Sequence, residues 1–236
     1  MELALALPVA TAADGAALAG VHPAKPRAVR VVDGGLRPVR DVYLGFEACA
    51  VAIGARGRPV VAASARGEIE VEGVARWSLG TSAIERLALA PDGARVAGAD
   101  GAGVFAASLD GSGVARLDAG RPSAMAWSTA HGLWAFVDGA GLFRLDVDAG
   151  TTSDLELEGW TERTRAYAFS PDGTRLLVSD GAETWVADTG RGRRLCRVRT
   201  EPGARLVAGA LDADETVGWA LFERGGEHRL ARFDQA

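Results

Sequence analysis

The sequence predicts an all-β fold: a single six-bladed β-propeller domain of four-stranded antiparallel blades spanning residues 1–236. Three observations support this prediction. Short β-rich runs alternate with tight-turn dipeptides throughout the chain, the same turn pattern recurs every 36 to 42 residues, and no stretch reads as a convincing helix. Four antiparallel strands in about 40 residues is the unit of a propeller blade.

The best-defined copy of the repeat lies at Arg165–Gly190. Small and aromatic residues alternate over 166–170, which is the period of a half-buried strand. The Ser-Pro-Asp-Gly turn at 170–173 combines a fixed φ, a side-chain acceptor and a residue that tolerates positive φ. Second and third strands are predicted over 175–179 and 184–187, joined by an Asp-Gly hairpin turn, with a fourth strand shortly after.

Weaker copies can be aligned on the last residue of that turn. Seven residues after three of the anchors lie Asp-Gly pairs, and fifteen residues after the same anchors lies the end of a third strand. This agreement at several offsets supports six copies. The six anchors are Gly15, Gly57, Gly93, His131, Gly173 and Asp214. The Asp-Gly pairs begin at Asp100, Asp138 and Asp180, and the third strands end at Ser108, Asp146 and Asp188.

The two ends of the chain lead to a prediction about how the fold closes. The last copy has room for three strands only, which leaves an unpaired edge of the kind that folded proteins avoid. Residues 1–7 alternate leucine with other residues and end at Pro8, as a strand would. We therefore expect residues 1–7 to complete the last blade. Pro23 and Pro26 predict a stiff connection in the first copy that does not pair.

One segment resembles a known repeat family. Residues 185–190, Trp-Val-Ala-Asp-Thr-Gly, look like the third strand of a WD40 repeat with its Trp-Asp ending, and the Pro-Asp-Gly turns at 91–93 and 171–173 are typical of bacterial WD40-like repeats. The Gly-His dipeptide that this family places before its first strand is absent from every copy. The resemblance implies a degenerate, bacterial-type propeller that serves as a protein-interaction scaffold.

Composition narrows the classes of function. A net charge of −5 argues against a nucleic-acid platform, which needs a basic surface. The N-terminus carries Glu2 and Asp14 and lacks a basic segment, so we expect a cytoplasmic protein rather than an exported or membrane-bound one. Cys49 and Cys196 fall in non-adjacent copies, which predicts free thiols.

No catalytic or cofactor motif stands out. Residues 101–106 match the dinucleotide-binding glycine pattern, but a strand rather than a helix is predicted to follow, and residues 139–143 repeat the pattern as a hairpin turn. The three histidines occupy different offsets in different copies, which gives no zinc cluster. We expect no enzyme activity, no metal and no cofactor.

The candidate site is instead a partner-binding face. In WD40-like propellers the loops between blades and the loops between second and third strands share one side, and here those loops are rich in arginine. Trp160 lies in one of them, either as an interface anchor or folded back over the junction between blades. An arginine-rich face on an acidic protein predicts an acidic protein partner. The predicted residues are Arg66, Arg121, Trp160, Arg163, Arg165, Arg205 and Arg224.

The function that these patterns favour is a non-catalytic scaffold, a subunit of a multiprotein bacterial assembly, that binds neither nucleic acid nor membrane. One alternative is a propeller hydrolase or lyase with a metal in its central channel. Another is a TolB-like periplasmic propeller, which the Ser-Pro-Asp-Gly turns suggest. The basic stretch between Arg191 and Arg199 is either a solvated hairpin or a further patch for an acidic partner.

Overall fold

The computed structural model describes residues 6–234 except 13, 15, 34, 81, 82 and 212–216. These residues form six small antiparallel sheets, each built from strands that are consecutive in sequence. The sheets are the blades of a six-bladed β-propeller, as the sequence predicts. Contacts between residues group the chain into two compact units, the described residues of Met1–Arg121 with Asp146–Thr151, and those of Pro122–Leu145 with Thr152–Ala236. A single domain over 1–236 stays a prediction.

The first unit holds three four-stranded sheets. The first sheet is β1 (Ala6–Thr11), β2 (Ala17–His22), β3 (Lys25–Asp33) and β4 (Pro38–Tyr43). The second is β5 (Ala48–Ile53), β6 (Val60–Ser64), β7 (Glu68–Val71) and β8 (Ala75–Ser78), with a short 3₁₀ turn at Ala55–Gly57. The third is β9 (Arg86–Leu89), β10 (Arg95–Asp100), β11 (Gly103–Ser108) and β12 (Ala115–Leu117).

The second unit holds the other three sheets, apart from the turn between β15 and β16. The fourth sheet is β13 (Ala124–Ser128), β14 (Gly132–Val137), β15 (Gly141–Asp146) and β16 (Thr151–Leu155). The fifth is β17 (Arg165–Phe169), β18 (Arg175–Ser179), β19 (Thr184–Asp188) and β20 (Arg194–Val198). The sixth is β21 (Arg205–Leu211), β22 (Val217–Arg224) and β23 (Glu227–Asp234). The described residues contain no helix whose length and apolar character would let it cross a bilayer.

The turn chemistry predicted from the repeat is confirmed. Gly93 and Gly173 have φ of 68° and 69°, in the left-handed region that favours glycine. Asp92 accepts a hydrogen bond from the backbone N–H of Ala94, and Asp172 accepts one from that of Thr174. The three Asp-Gly turns join second to third strands, and β11, β15 and β19 end where the offsets predict.

The beginning of the chain corrects two predictions. Ala6 and Leu7 belong to β1, where Ala6 pairs with Val21 of β2 in the first sheet, so they do not complete the last blade. The strand continues past Pro8 because β1 is an edge strand with an irregular register there, and such positions tolerate a residue without an N–H. Residues 1–5, the rest of the predicted closing strand, lie outside the described residues. The predicted stiff connection is a two-residue turn, since β3 already begins at Lys25, opposite His22.

Consecutive sheets within each unit pack face to face. In the fifth sheet, Leu176 and Val178 join a cluster with Trp134 of the fourth sheet, whereas Leu177 joins a cluster with Phe222 of the sixth. This follows from the strand geometry, because successive side chains point to opposite faces of a sheet. A sheet with a neighbour on both faces therefore needs a continuous apolar run rather than an alternating one.

Two ion pairs in the first unit have the same length but differ in burial. Arg116 donates to both carboxylate oxygens of Asp100, with Nη2 2.9 Å from Oδ2, and the Asp100 side chain is fully buried. The pairing raises the pKa of Arg116 through this hydrogen bond. Arg95 lies 2.9 Å from Asp148, whose side chain is 84% exposed. The two arginines are equally accessible, at 37% and 36%.

The first prediction uses this matched pair. Asp100→Asn should lower the free energy of unfolding by about 2–3 kcal/mol, because a buried partner of a guanidinium loses its charge. Asp148→Asn should change it by less than about 0.5 kcal/mol, since water screens an exposed pair. Urea unfolding at pH 7 measures both. Equal losses in the two variants would contradict the role assigned to burial.

A third ion pair joins the first sheet to the second. Arg40 on β4 donates from Nη2 to the Glu72 carboxylate at 2.6 Å and to the carbonyl oxygen of Gly57 at 2.8 Å. Glu72 also accepts from the backbone N–H of Val60 at 3.1 Å. Burial opposes ionisation of Glu72, but the hydrogen bonds from Arg40 and Val60 outweigh it and lower the pKa of this carboxyl.

The second prediction concerns acid stability. A lowered folded-state pKa means that the Glu72 contribution is complete above the unfolded pKa of about 4.3 and is lost as pH falls through the folded value. Glu72→Gln should therefore lower the thermal midpoint at pH 7 and make its decline below about pH 5 shallower than in the wild type. The exposed Glu47→Gln is the control, and calorimetry across pH 3–7 is the measurement. Parallel acid profiles for wild type and Glu72→Gln would rule out this linkage.

Candidate partner-binding site

The structure divides the predicted binding residues between the two units. In the first unit, Arg66 occupies the exposed turn between β6 and β7, where its backbone N–H donates to Ser64. The pKa of Glu68 is lowered mainly by its hydrogen bond from Arg76, and the charge of Arg66 makes a smaller contribution in the same direction. Arg121, in the loop after β12, pairs with Glu85, and both side chains are largely exposed. The other five residues lie in the second unit.

Trp160 packs back against its own unit. It is half-buried in the loop between β16 and β17 and contacts the cluster that contains Trp134 and Trp185. Its ring lies 3.9 Å from the position that a Cβ on Gly141 would occupy. The Trp160 indole N–H is buried and has no hydrogen-bond partner within the described residues. Of the two roles left open by the sequence, this geometry favours the one in which Trp160 covers the junction between sheets.

Arg163 and Arg165, at the end of the same loop, differ in the ion pairs that they form. Arg163 is exposed, and among the described residues its guanidinium forms no ion pair. Arg165 begins β17 and pairs with Asp138 at 3.3 Å, the aspartate of the Asp-Gly turn in the preceding sheet. It also donates to the carbonyl oxygens of Glu162 and Thr164, both at 3.1 Å. Arg163 is therefore available to a partner, whereas Arg165 must give up its ion pair with Asp138 before it can bind a carboxylate of a partner.

Arg205 and Arg165 both lie close enough to Tyr167 to affect its ionisation, and the sequence analysis did not single out Tyr167. Arg205 begins β21 and pairs with Glu223 on β22 at 3.3 Å. Both arginines act on the half-buried Tyr167, whose pKa is raised by burial and lowered to a smaller extent by the two positive charges. Tyr167 alternates with apolar neighbours in β17, so the sequence indicates only that it faces one side of a strand.

Arg224 lines an open cleft of about 460 Å³ in the second unit. The cleft lies between the loop after β20 and the hairpin that joins β22 to β23. Its apolar floor is Phe222, Ala204 and Ala231, and the rest of its lining is Arg199, Glu201, Arg224, Gly225, Glu227, His228 and Arg229. We call it the β22–β23 cleft.

Two tight turns build the walls of this cleft. Residues 201–204 read Glu-Pro-Gly-Ala; Gly203 has φ of 76°, and the N–H of Ala204 donates to the carbonyl oxygen of Glu201 at 3.0 Å. Proline followed by a positive-φ glycine is the signature of a type II turn. The opposite wall is the Gly225-Gly226 hairpin, with φ of 61° and 86°, as a type I′ turn requires. Both walls are therefore set by local sequence.

One carboxylate serves two guanidinium groups in the cleft. Glu201 lies 3.6 Å from Arg224 and also contacts Arg229, and all three side chains are between 49% and 72% exposed. Arg199 is exposed and forms no ion pair among the described residues. Glu227 is exposed at the strand position opposite Arg224. The lining therefore has three arginines against two glutamates.

Sequence reasoning identified Arg224 but not Glu201, His228 or Arg229. Hairpin register places His228 opposite Glu223 across β22 and β23, one position from the Arg224–Glu227 pair. The Gly-Gly dipeptide at 225–226 could have located this hairpin and hence His228 and Arg229. The Glu201 contacts could not have been found this way, because Glu201 comes from a loop outside the hairpin.

Two of the five arginines in the basic stretch after β19 are paired within their own unit. Arg194 and Arg197 both pair with Glu183, at 2.8 Å and 3.1 Å. The guanidinium of Arg194 also lies 4.1 Å from the centre of the Trp185 ring. Arg191 and Arg193 are exposed at the hairpin turn. The solvated-hairpin interpretation agrees with this arrangement for the turn itself.

Neither cysteine forms a disulfide. Cys49 and Cys196 are free and half-buried, and burial raises the pKa of both thiols. The described residues contain no group of three or more His, Cys, Asp or Glu side chains that could hold a metal ion.

The comparisons with known proteins leave the structure as the only guide. No protein-family model matches the chain, and no curated protein matches it at a significant level. The class of the protein therefore rests on the fold, an all-β six-bladed propeller, and the WD40-like resemblance stays a prediction.

The third prediction tests the role of Trp160. Trp160→Ala should lower the free energy of unfolding by about 2–3 kcal/mol, because the half-buried ring leaves a cavity beside the cluster. Trp160→Phe should cost less than about 1 kcal/mol, since it keeps an aromatic ring and removes an indole N–H that has no partner. Arg163→Ala in the same loop is the control, and chemical denaturation is the measurement. If Trp160→Ala is as stable as the wild type, Trp160 does not stabilise the junction between sheets, and the interface-anchor role is the one that remains.

Proposed function

We propose that this chain is a non-catalytic, WD40-like protein-interaction scaffold that serves as a subunit of a multiprotein bacterial assembly in the cytoplasm. A propeller presents turns and loops from a rigid set of sheets, which suits this role, although the fold alone does not assign it. The proposal needs neither a metal nor a cofactor.

The observation that carries the proposal is the distribution of guanidinium groups in the second unit. Among the described residues, Arg163 and Arg199 are exposed and form no ion pair. Arg165, Arg205 and Arg224 each pair with an acid whose side chain is between 28% and 49% exposed. Exposed ion pairs contribute about 0–1 kcal/mol, so internal acids can be exchanged for those of a partner at little cost.

The partner that fits these loops carries acidic side chains. An arginine offers a rigid, planar set of donors that matches a carboxylate in two-point contact. Opposite charges across an interface also increase the rate of encounter and select one partner over others. The overall negative charge of the chain makes exposed arginines in these loops more selective, because non-specific attraction of polyanions is weak.

The fourth prediction is a charge reversal in the loop between β16 and β17. Arg163→Glu with Arg165→Glu should deplete partner proteins at least about tenfold from complexes purified from the native host, because two attractive contacts become repulsive. The measurement is quantitative mass spectrometry of proteins that co-purify with the tagged chain.

The matched control reverses two exposed arginines on a different hairpin of the same unit, Arg191→Glu with Arg193→Glu. It makes the same change in net charge, so a partner lost equally from both double variants would reflect overall charge rather than this site. The melting temperature should stay within a few degrees of wild type in both, since all four side chains are exposed. Full retention of partners by Arg163→Glu with Arg165→Glu contradicts the assignment.

A further inference from the structure

Glu201 occupies the place that an external carboxylate would take in the β22–β23 cleft. Its side chain contacts both Arg224 and Arg229, which lie on the two strands of the glycine hairpin. The contact is not needed to hold the turn, because the turn is closed by the backbone hydrogen bond between Ala204 and Glu201 and shaped by Pro202 and Gly203.

The Glu201 contacts are also weakly held. The three side chains are 49%, 62% and 72% exposed, and ion pairs at this exposure contribute little to stability. A competing carboxylate can therefore replace Glu201 without unfolding the loop.

The cleft has features that favour such a competitor over Glu201 itself. Arg199 lines the same cleft and has no ion pair among the described residues, so an incoming acidic segment can gain a guanidinium that Glu201 does not use. The floor formed by Phe222, Ala204 and Ala231 offers apolar surface next to the charges. A volume of about 460 Å³ accommodates a few side chains of a peptide.

We propose that the β22–β23 cleft binds an acidic peptide segment of a partner protein, and that Glu201 is an internal competitor that the peptide displaces from Arg224 and Arg229. This proposal rests on the proposed scaffold function and specifies where and how one partner segment binds. Glu201 thereby sets an affinity threshold, since only segments with several carboxylates and an apolar residue gain more than they displace.

The test uses the full-length protein and a fluorescein-labelled heptapeptide with four glutamates around a central leucine. Anisotropy titrations at low ionic strength give the dissociation constant. Glu201→Gln should tighten binding by about three- to tenfold, because the arginine pair is freed. Arg224→Ala with Arg229→Ala should weaken binding by at least about tenfold. The same peptide with glutamine in place of glutamate should not bind.

Glu227→Gln is the matched control. It raises the net charge of the same cleft by the same amount as Glu201→Gln, but Glu227 makes no ion pair with Arg229 or Arg224 among the described residues. Tightening by less than about twofold in Glu227→Gln, with a clear gain in Glu201→Gln, supports displacement rather than net charge. Arg193→Ala, outside the cleft, should bind as the wild type does.

The outcomes separate this inference from the proposed function. Equal affinities in Glu201→Gln and the wild type, or equal gains in Glu201→Gln and Glu227→Gln, overturn the displacement mechanism. A peptide that binds equally well to the Arg224→Ala with Arg229→Ala variant overturns the cleft as its site. Both results leave the scaffold proposal to its own test, the charge reversal at Arg163 and Arg165. Circular dichroism melts of each variant check that the protein is folded.

Discussion

Face-to-face packing of consecutive sheets within each unit is the constraint on which the rest of the structure depends. Each sheet is too small to bury a core alone, so an inner sheet must present apolar side chains to a neighbour on each side. The fifth sheet shows this most clearly: Leu176 and Trp185 pack towards the fourth sheet, while Leu177 and Val186 pack towards the sixth. All four side chains are fully buried. Many charged residues are consequently found in turns and at strand ends, although some, such as Arg30 in β3 and Arg144 in β15, lie within inner strands.

Because they lie in turns and at strand ends, some arginines both stabilise the fold and belong to the candidate site. Arg165 ties β17 to the turn aspartate of the preceding sheet, and Arg40 ties the first sheet to Glu72 beside the second. The difference between them is burial. Arg40 and Glu72 are about 80% buried and act mainly in folding, whereas Arg165 and Arg224 remain open to solvent and can exchange partners. Exposure, rather than residue type, separates structural from available arginines.

Two buried tryptophans in the second unit are held by packing rather than by hydrogen bonds. Trp185, which the predicted WD40-like resemblance assigns to a Trp-Asp motif, is fully buried, yet its indole N–H has no hydrogen-bond partner in the described part of the chain, and the same is true of Trp134. Packing, including the Arg194 guanidinium over the Trp185 ring, carries the stabilisation at this position instead.

The sequence by itself determined the features that depend on local chemistry. Turn positions follow from residues such as Gly93 and Gly173, whose positive φ is a property of the dipeptide, and strand ends follow from the spacing of the repeats. Tertiary structure alone decided the strand that Ala6 and Leu7 join, because β pairing brings together segments whose register is set by distant partners. It also decided that Trp160 packs inward and that Glu201 meets Arg224 and Arg229. Contacts between side chains from different loops depend on how the sheets and turns place those loops, and no local pattern encodes that placement.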